Sequence, residues 1–139
     1  MTPFLQKLVA RGCITGTSNM SLQHIAETLT SKKIGTIIIC EDEDVVGIVS
    51  ERDIIRAIAN RKDLADLSAK DIMTKDVFFI SPDENSTTIM DMMSAKKIRH
   101  IPIVEYGKLL GIVSITDVVR RLSEKTKQEA DYLREFINS

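Results

Sequence analysis

Long apolar runs, abundant cysteine and an excess of either charge are all missing from this 139-residue chain. Its longest apolar stretches are four to five residues. A membrane-spanning helix needs about 18, so these stretches read as buried strands. Met1–Lys7 carries no apolar run of the kind a secretory signal has. Cys13 and Cys40 lie far apart, in neither a metal-ligand nor a redox spacing. That usage points to reduced thiols and a cytoplasmic protein. Nineteen basic residues meet twenty acidic ones, for a net charge of −1, which is not the electrostatic footprint of a general nucleic-acid binder. The signatures of catalysis are missing too: there is no Ser-His-Asp order, no Cys/His metal spacing and no P-loop lysine. His24 and His100 are the only histidines, and neither stands beside an obvious nucleophile. No catalytic residue and no metal ligand is therefore expected. The acidic run Glu41-Asp42-Glu43-Asp44 lacks the glycine-containing loop of a calcium hand and reads as a solvated turn.

What the chain does have is an ordinary globular mix, 43% hydrophobic and 28% charged, and an internal repeat. Sliding it by 64 residues lays 32–56 over 96–120 without a gap: KKIGTIIICEDEDVVGIVSERDIIR over KKIRHIPIVEYGKLLGIVSITDVVR. Twelve of the twenty-five positions are identical, among them Gly47/Gly111, Ser50/Ser114 and Asp53/Asp117. A period this long is a duplicated small domain rather than a solenoid unit. Each half, at about sixty residues, is marginal as an independent core, so the two halves should pack on each other.

The hydrophobic pattern sets out the elements. Thr2-Pro3 opens a short helix that Gly12 stops, with Phe4, Leu5, Leu8 and Val9 on its apolar face. Ser21 can cap a second helix carrying Leu22, Ile25, Ala26 and Leu29. Ile34–Cys40 and Val45–Ser50 read as paired strands, and Asp53–Ala59 as a helix with Ile54, Ile55 and Ile58 inward. The second unit repeats the order: strand Val77–Ile80, helix Ser86–Lys97 with Ile89, Met90 and Met93 inward, then strands Ile101–Val104 and Leu109–Ser114 around Tyr106-Gly107. In the first unit the opening strand can only be Cys13–Thr15. A last helix starts near Thr116 and runs to about Ile137, with Val119, Leu122, Thr126, Ala130, Leu133 and Ile137 in one stripe. That stripe must cover the chain's own core, a second copy of the protein, or both. The fold expected is α+β: two β-α-β-β-α repeats packed as a pseudo-twofold pair, with an N-terminal helix and a long C-terminal helix. The divisions are 1–12 for the first helix, 13–62 for repeat 1, 63–75 for a linker, 76–122 for repeat 2 and 123–139 for the helical extension.

Both repeats end their last strand with one phrase, Gly47-Ile48-Val49-Ser50-Glu51-Arg52-Asp53 and Gly111-Ile112-Val113-Ser114-Ile115-Thr116-Asp117. The bland reading is a helix start, with the serine as N-cap and the aspartate three residues on completing a capping box. The functional reading uses the same geometry. A helix N-terminus suits phosphate, and a neighbouring carboxylate can accept both hydroxyls of a ribose.

Glycine, two aliphatics, Ser or Thr, two variable residues and Asp resembles the recurring motif of CBS domains. Its double occurrence identifies the chain over about residues 13–122 as similar to tandem CBS pairs, or Bateman modules. The resemblance implies that Asp53 with Ser50, and Asp117 with Ser114 and Thr116, hold ribose or phosphate. Arg52, opposite Thr116 in the repeat, either meets a phosphate or stands solvated. Arg99-His100-Ile101-Pro102 resembles the stretch that supplies cations to phosphate and lines the adenine in such pairs; His100 on its own would read as a structural or surface histidine, and its place next to Arg99 raises the ligand reading to equal standing. The first repeat departs from it with Gly35-Thr36-Ile37-Ile38, so the two sites are not equivalent. By the same likeness Ile80-Ser81 and Ile14-Thr15 line the cleft. The function this resemblance implies is that of a regulatory module, one that senses an adenine nucleotide (AMP, ADP, ATP or NAD) between the repeats, forms a homodimer and signals to a separate effector protein. The competing reading is a structural dimerisation module without a small-molecule ligand.

Overall fold

The structure, a computed structural model, describes residues 1–60 and 63–138. The expected close of the first repeat, at residue 62, lies outside the described residues. Helix α1 (Pro3–Arg11) is followed by strand β1 (Thr15–Gly16), helix α2 (Leu22–Lys32), strands β2 (Thr36–Glu41) and β3 (Asp44–Ser50), and helix α3 (Glu51–Ala59). A 3-10 turn (Leu64–Asp66) and the one-turn helix α4 (Ala69–Ile72) connect to the second unit. There α5 (Ser86–Lys96), β4 (His100–Glu105), β5 (Lys108–Ser114) and α6 (Ile115–Asn138) repeat the order. The fold is α+β. No helix among the described residues is long and apolar enough to cross a membrane.

The hairpins are near copies. Each antiparallel pair carries one register shift, between Ile39 and Cys40 and between Ile103 and Val104. Each turns through two residues, Asp42-Glu43 and Tyr106-Gly107, with Asp42, Tyr106 and Gly107 at positive φ. Such backbone matches the twist of a tight hairpin, and glycine adopts it without strain. In β2 both faces are covered, which is why it reads as an unbroken isoleucine run. Ile37 and Ile39 enter the first core with Ile25, Leu29 and Val49, while Ile38, opposite Ile48, is buried on the other face. β1 pairs in parallel with β2. In the second unit the expected strand Val77–Ile80 shrinks to a single parallel bridge, Ile80 with Ile103.

Two expected orientations differ. Ile55 is 65% exposed and Ile58 is exposed with it. The capping box at Ser50 turns Asp53 inward, and at 100° per residue the side that follows is Ile54 and Ala57, leaving 55 and 58 outside. Along α6, Val119, Leu133 and Ile137 are exposed while Leu122 packs against the second core, so the chain's own core covers that stripe only in part.

The first helix belongs to the second core. Leu5 and Leu8 are buried there among Ile80, Ile89, Met93, Ile101, Ile103, Val113 and Val118. Thr2 does not use its side chain as a cap. Its hydroxyl donates to the Glu84 carbonyl at 3.1 Å and its N–H to that of Pro82 at 3.0 Å. The helix lies against β5 at Gly111, where a Cβ would stand at ordinary contact distance, 3.4 Å, from the Leu8 carbonyl oxygen.

Candidate functional site

The capping boxes form as the serine and aspartate spacing predicts. Asp53 Oδ2 accepts the Ser50 N–H at 2.8 Å and the Ser50 hydroxyl at 3.2 Å. Asp117 Oδ2 accepts the same two donors of Ser114, both at 2.9 Å. Both carboxylates are buried, with 6% and 7% of their surface exposed. Strand alternation then decides what faces the gap between the repeats. Thr36, Ile38, Ile48 and Ser50 share one face of the first hairpin, and His100, Pro102, Ile112 and Ser114 share the matching face of the second.

The gap holds two clefts. Cleft 1, of ≈ 280 Å³, is lined by Thr36, Ile48, Ser50, Glu51, Arg52, Asp53 and Arg56 from the first repeat and by Lys97, Ile98, Arg99 and His100 from the second. Arg99 and His100 thus face the acid of the other repeat. Cleft 2, of ≈ 620 Å³, is lined by Arg11, Cys13, Ile14, Lys32, Lys33, Thr36, Ile38, His100, Ile112, Ser114 and Thr116. Asp117 does not line it. Its carboxylate is turned to the groove between α1 and α6, beside Lys7, Arg11, Arg120 and Arg121.

The two acids also differ in company. Asp53 Oδ1 has one further contact, a 3.3 Å bond from Arg56, whose side chain is 69% exposed. Asp117 is held in a bidentate pair: Arg11 Nη1 to Oδ1 at 3.0 Å and Nη2 to Oδ2 at 3.1 Å. Arg11 Nη2 also donates to the Ile112 carbonyl at 3.1 Å. In the first repeat the corresponding Ile48 carbonyl takes the Thr74 N–H instead. Burial pushes the Asp117 pKa up, but the Arg11 guanidinium and the Ser114 hydrogen bonds outweigh it and hold the carboxyl below its usual value. His100 moves the other way from a phosphate-binding cation: burial, aided by the Arg99 charge, depresses its pKa against the pull of Asp117 and Glu51. At neutral pH it is an uncharged imidazole.

The structure therefore brings Ser50, Arg52, Asp53, Arg99 and His100 together in one cleft, and Ser114, Thr116 and His100 in the other. Other expected contacts lie elsewhere. Ile101 is fully buried in the second core. Ile80 is in the same core, its N–H already bonded to Pro102 O and its carbonyl to Val104 N–H. Ser81 is exposed and its hydroxyl accepts the Asp83 N–H. Thr15 points to solvent from β1, with Ile14 beside it on the cleft wall. Pro102 does keep its expected side, buried on the inter-repeat face opposite Ile112.

Sequence reasoning missed Arg11, Lys97, Lys32, Lys33 and Thr36. Thr36 is 7% exposed and lines both clefts. Its hydroxyl is the one buried side-chain polar atom among the described residues without a hydrogen-bond partner. Such a group is costly to leave unmet. Its place in the repeat, opposite His100, was the available signal.

The CBS domain profile matches residues 6–60 and 69–124. A 17.7 kDa protein of Acidianus ambivalens, itself uncharacterized, is 37% identical over 106 residues, covering 75% of this chain and 63% of its own length. The chain spans between 34% and 63% of the first curated relatives it matches. Among solved structures, the CBS domain pair of protein MJ0100 in complex with 5′-methylthioadenosine and S-adenosyl-L-methionine superposes with a TM-score of 0.79 at 28% identity, covering 87% of this chain and 96% of that one. A CBS domain protein from Pyrobaculum aerophilum complexed with AMP gives 0.75 at 25% identity, covering 86% and 98%.

Proposed function

The chain belongs to the CBS-domain family, and from that premise we propose that it is a non-catalytic regulatory module whose cleft 1 binds a 5′-substituted adenosine, foremost an adenine nucleotide of the AMP class. The observation that carries this reading is the make-up of cleft 1. A buried carboxylate whose Oδ1 carries only the 3.3 Å contact from the exposed Arg56 stands beside Arg52, Arg56, Lys97 and Arg99, with Glu51 the one other acid on the wall. Asp53 can accept the 2′- and 3′-hydroxyls of a ribose. The cations and the amino end of α3 suit a phosphate. The Thr36 hydroxyl supplies a further donor or acceptor on the same wall. The ligands of the MJ0100 pair and of the Pyrobaculum protein are all adenosines substituted at the 5′ position, which supports the class. The cations favour the phosphorylated members.

Ligand occupancy would stabilise one arrangement of the two repeats, and a partner protein would read the arrangement. Regulation of this kind needs unequal affinity for two conformations. We assign the protein to the reducing cytoplasm, where free Cys13 and Cys40 persist. A homodimer is the reading that the bare apolar faces support. Ile55 and Ile58 on α3 and Val119, the repeat counterpart of Ile55, on α6 are exposed and offer apolar patches for a second copy.

A thermal-melt panel of AMP, ADP, ATP, NAD, S-adenosylmethionine and methylthioadenosine tests the ligand reading. At about 100 times Kd a true ligand adds about 2.7 kcal/mol of stability. No shift with any of the six would leave the dimerisation module standing, with Ser50 and Asp53 serving only as a helix cap.

A further inference from the structure

Asp53 and Asp117 hold the same place in the two repeats, yet Asp117 is gripped by a bidentate arginine while Asp53 Oδ1 carries one long contact from an exposed one. An ionised carboxylate has about four acceptor positions. On Asp117 the Ser114 N–H and hydroxyl take Oδ2, and the Arg11 fork spans both oxygens. The side facing cleft 2 is left to Ser114 and Thr116, and no carboxylate stands among that cleft's lining residues. Its polar lining is cationic and hydroxylic, Arg11, Lys32, Lys33, Ser114, Thr116 and the unpartnered Thr36 Oγ1, set beside an apolar wall of isoleucines.

Arg11 is not a loose surface side chain. It ends a helix whose Leu5 and Leu8 are locked in the second core, and it carries a third bond to the Ile112 carbonyl. Gly12, at φ 73, then turns the chain along the lip of the cleft. Arg56, its nearest analogue at Asp53, is a largely solvated residue with a single long contact.

We infer that Arg11 sets the specificity of the second cleft: with Asp117 engaged, cleft 2 takes a phosphorylated ligand through its cations and hydroxyls and makes no use of a vicinal diol, whereas cleft 1 selects for one. The chemistry recognised is a phosphate chain, whether carried by a nucleotide or free. This deepens the ligand-binding reading and rests on it only in part, because a free polyphosphate would satisfy cleft 2 without any nucleoside.

The test follows backbone amide shifts of Ser50 and Arg52 for cleft 1, and of Ser114 and Thr116 for cleft 2, while the intact chain is titrated with AMP, 2′,3′-dideoxy-AMP and inorganic tripolyphosphate. Removing the diol should weaken binding at cleft 1 by about tenfold or more, the scale of lost hydrogen bonds to a charged group, and at cleft 2 by less than about twofold. Tripolyphosphate should titrate Ser114 and Thr116, and Lys33→Ala should weaken it there. In Arg11→Met, Asp117 is released, and cleft 2 should begin to prefer AMP over the dideoxy compound by about tenfold. Should that variant fold poorly, Asp117→Asn provides the check: it should change AMP binding at cleft 2 by less than about twofold, where Asp53→Asn costs cleft 1 about tenfold. An equal dideoxy penalty at both clefts in the unaltered chain overturns the inference, as does a folded Arg11→Met without new diol preference. Failure of both AMP and tripolyphosphate to shift Ser114 and Thr116 also overturns it. If tripolyphosphate titrates cleft 2 while AMP binds neither cleft, the adenosine reading falls and the anion site stands.

Discussion

Replacing Arg11 with methionine removes the guanidinium and keeps most of the aliphatic stem, so the substitution isolates the charge. Breaking one partner of a fully buried pair costs about 3–5 kcal/mol. Here the guanidinium side chain is 49% exposed, and Asp117 keeps both Ser114 hydrogen bonds. Solvent screening and those remaining donors reduce the expected loss to about 1–2 kcal/mol. For a chain of this size that lowers Tm by about 3–7 °C at pH 7. The pH dependence identifies the cause. Asp117's pKa is depressed in the folded state. The stability it contributes is therefore present above the unfolded value near 4 and is lost as pH falls through the folded value. The melting temperatures of the unaltered protein and of Arg11→Met should converge in acid, as Asp117 becomes protonated in both. Differential scanning calorimetry from pH 3 to 7 reads this out. A variant that melts with the unaltered protein at pH 7, or a deficit that persists unchanged at the lowest pH, would refute the pairing as a source of stability.

Three further outcomes are expected from the same geometry. Arg99→Ala should weaken AMP by about 1 kcal/mol, the scale of one partly exposed charge-assisted contact, and leave methylthioadenosine, which lacks the phosphate, unchanged; calorimetric titration distinguishes a charge effect from a general loss of shape. Leu5→Ala, although only five residues from the N-terminus, should destabilise the protein by about 2–5 kcal/mol because the side chain is fully buried in the second core; chemical denaturation showing less than about 0.5 kcal/mol would contradict that packing. Ile55→Glu and Val119→Glu should each convert a dimer to a monomer by light scattering, and a monomeric unaltered chain at micromolar concentration would rule out the dimer.

Much of this architecture is legible in the sequence. The duplicated phrase around Ser50 and Ser114, the Tyr106-Gly107 turn and the serine–aspartate spacing are local signals, and local signals survive into structure because capping and turn chemistry act over three or four residues. The long-range contacts are not legible. Nothing in Pro3–Arg11 says which repeat it packs on, and the Arg11–Asp117 pair joins residues 106 positions apart. The outward turn of Ile55 and Ile58 is hidden because an apolar side chain fits a core and a docking face equally well. Arg99 and His100 read as cleft residues from the likeness to CBS pairs, but their approach to Asp53 emerges only when the two hairpin faces meet. Ile101 illustrates the opposite error. It lies between two inter-repeat residues in sequence, and strand alternation points it into the core.

Isothermal titration of AMP into the unaltered protein and into Asp53→Asn decides whether the acid of cleft 1 holds the sugar. Saturable binding is expected for the former, with an affinity lower by about tenfold or more in a variant that remains folded. Equal affinity in the two proteins, with cleft 1 occupied in both, would mean that Asp53 does no more than cap α3.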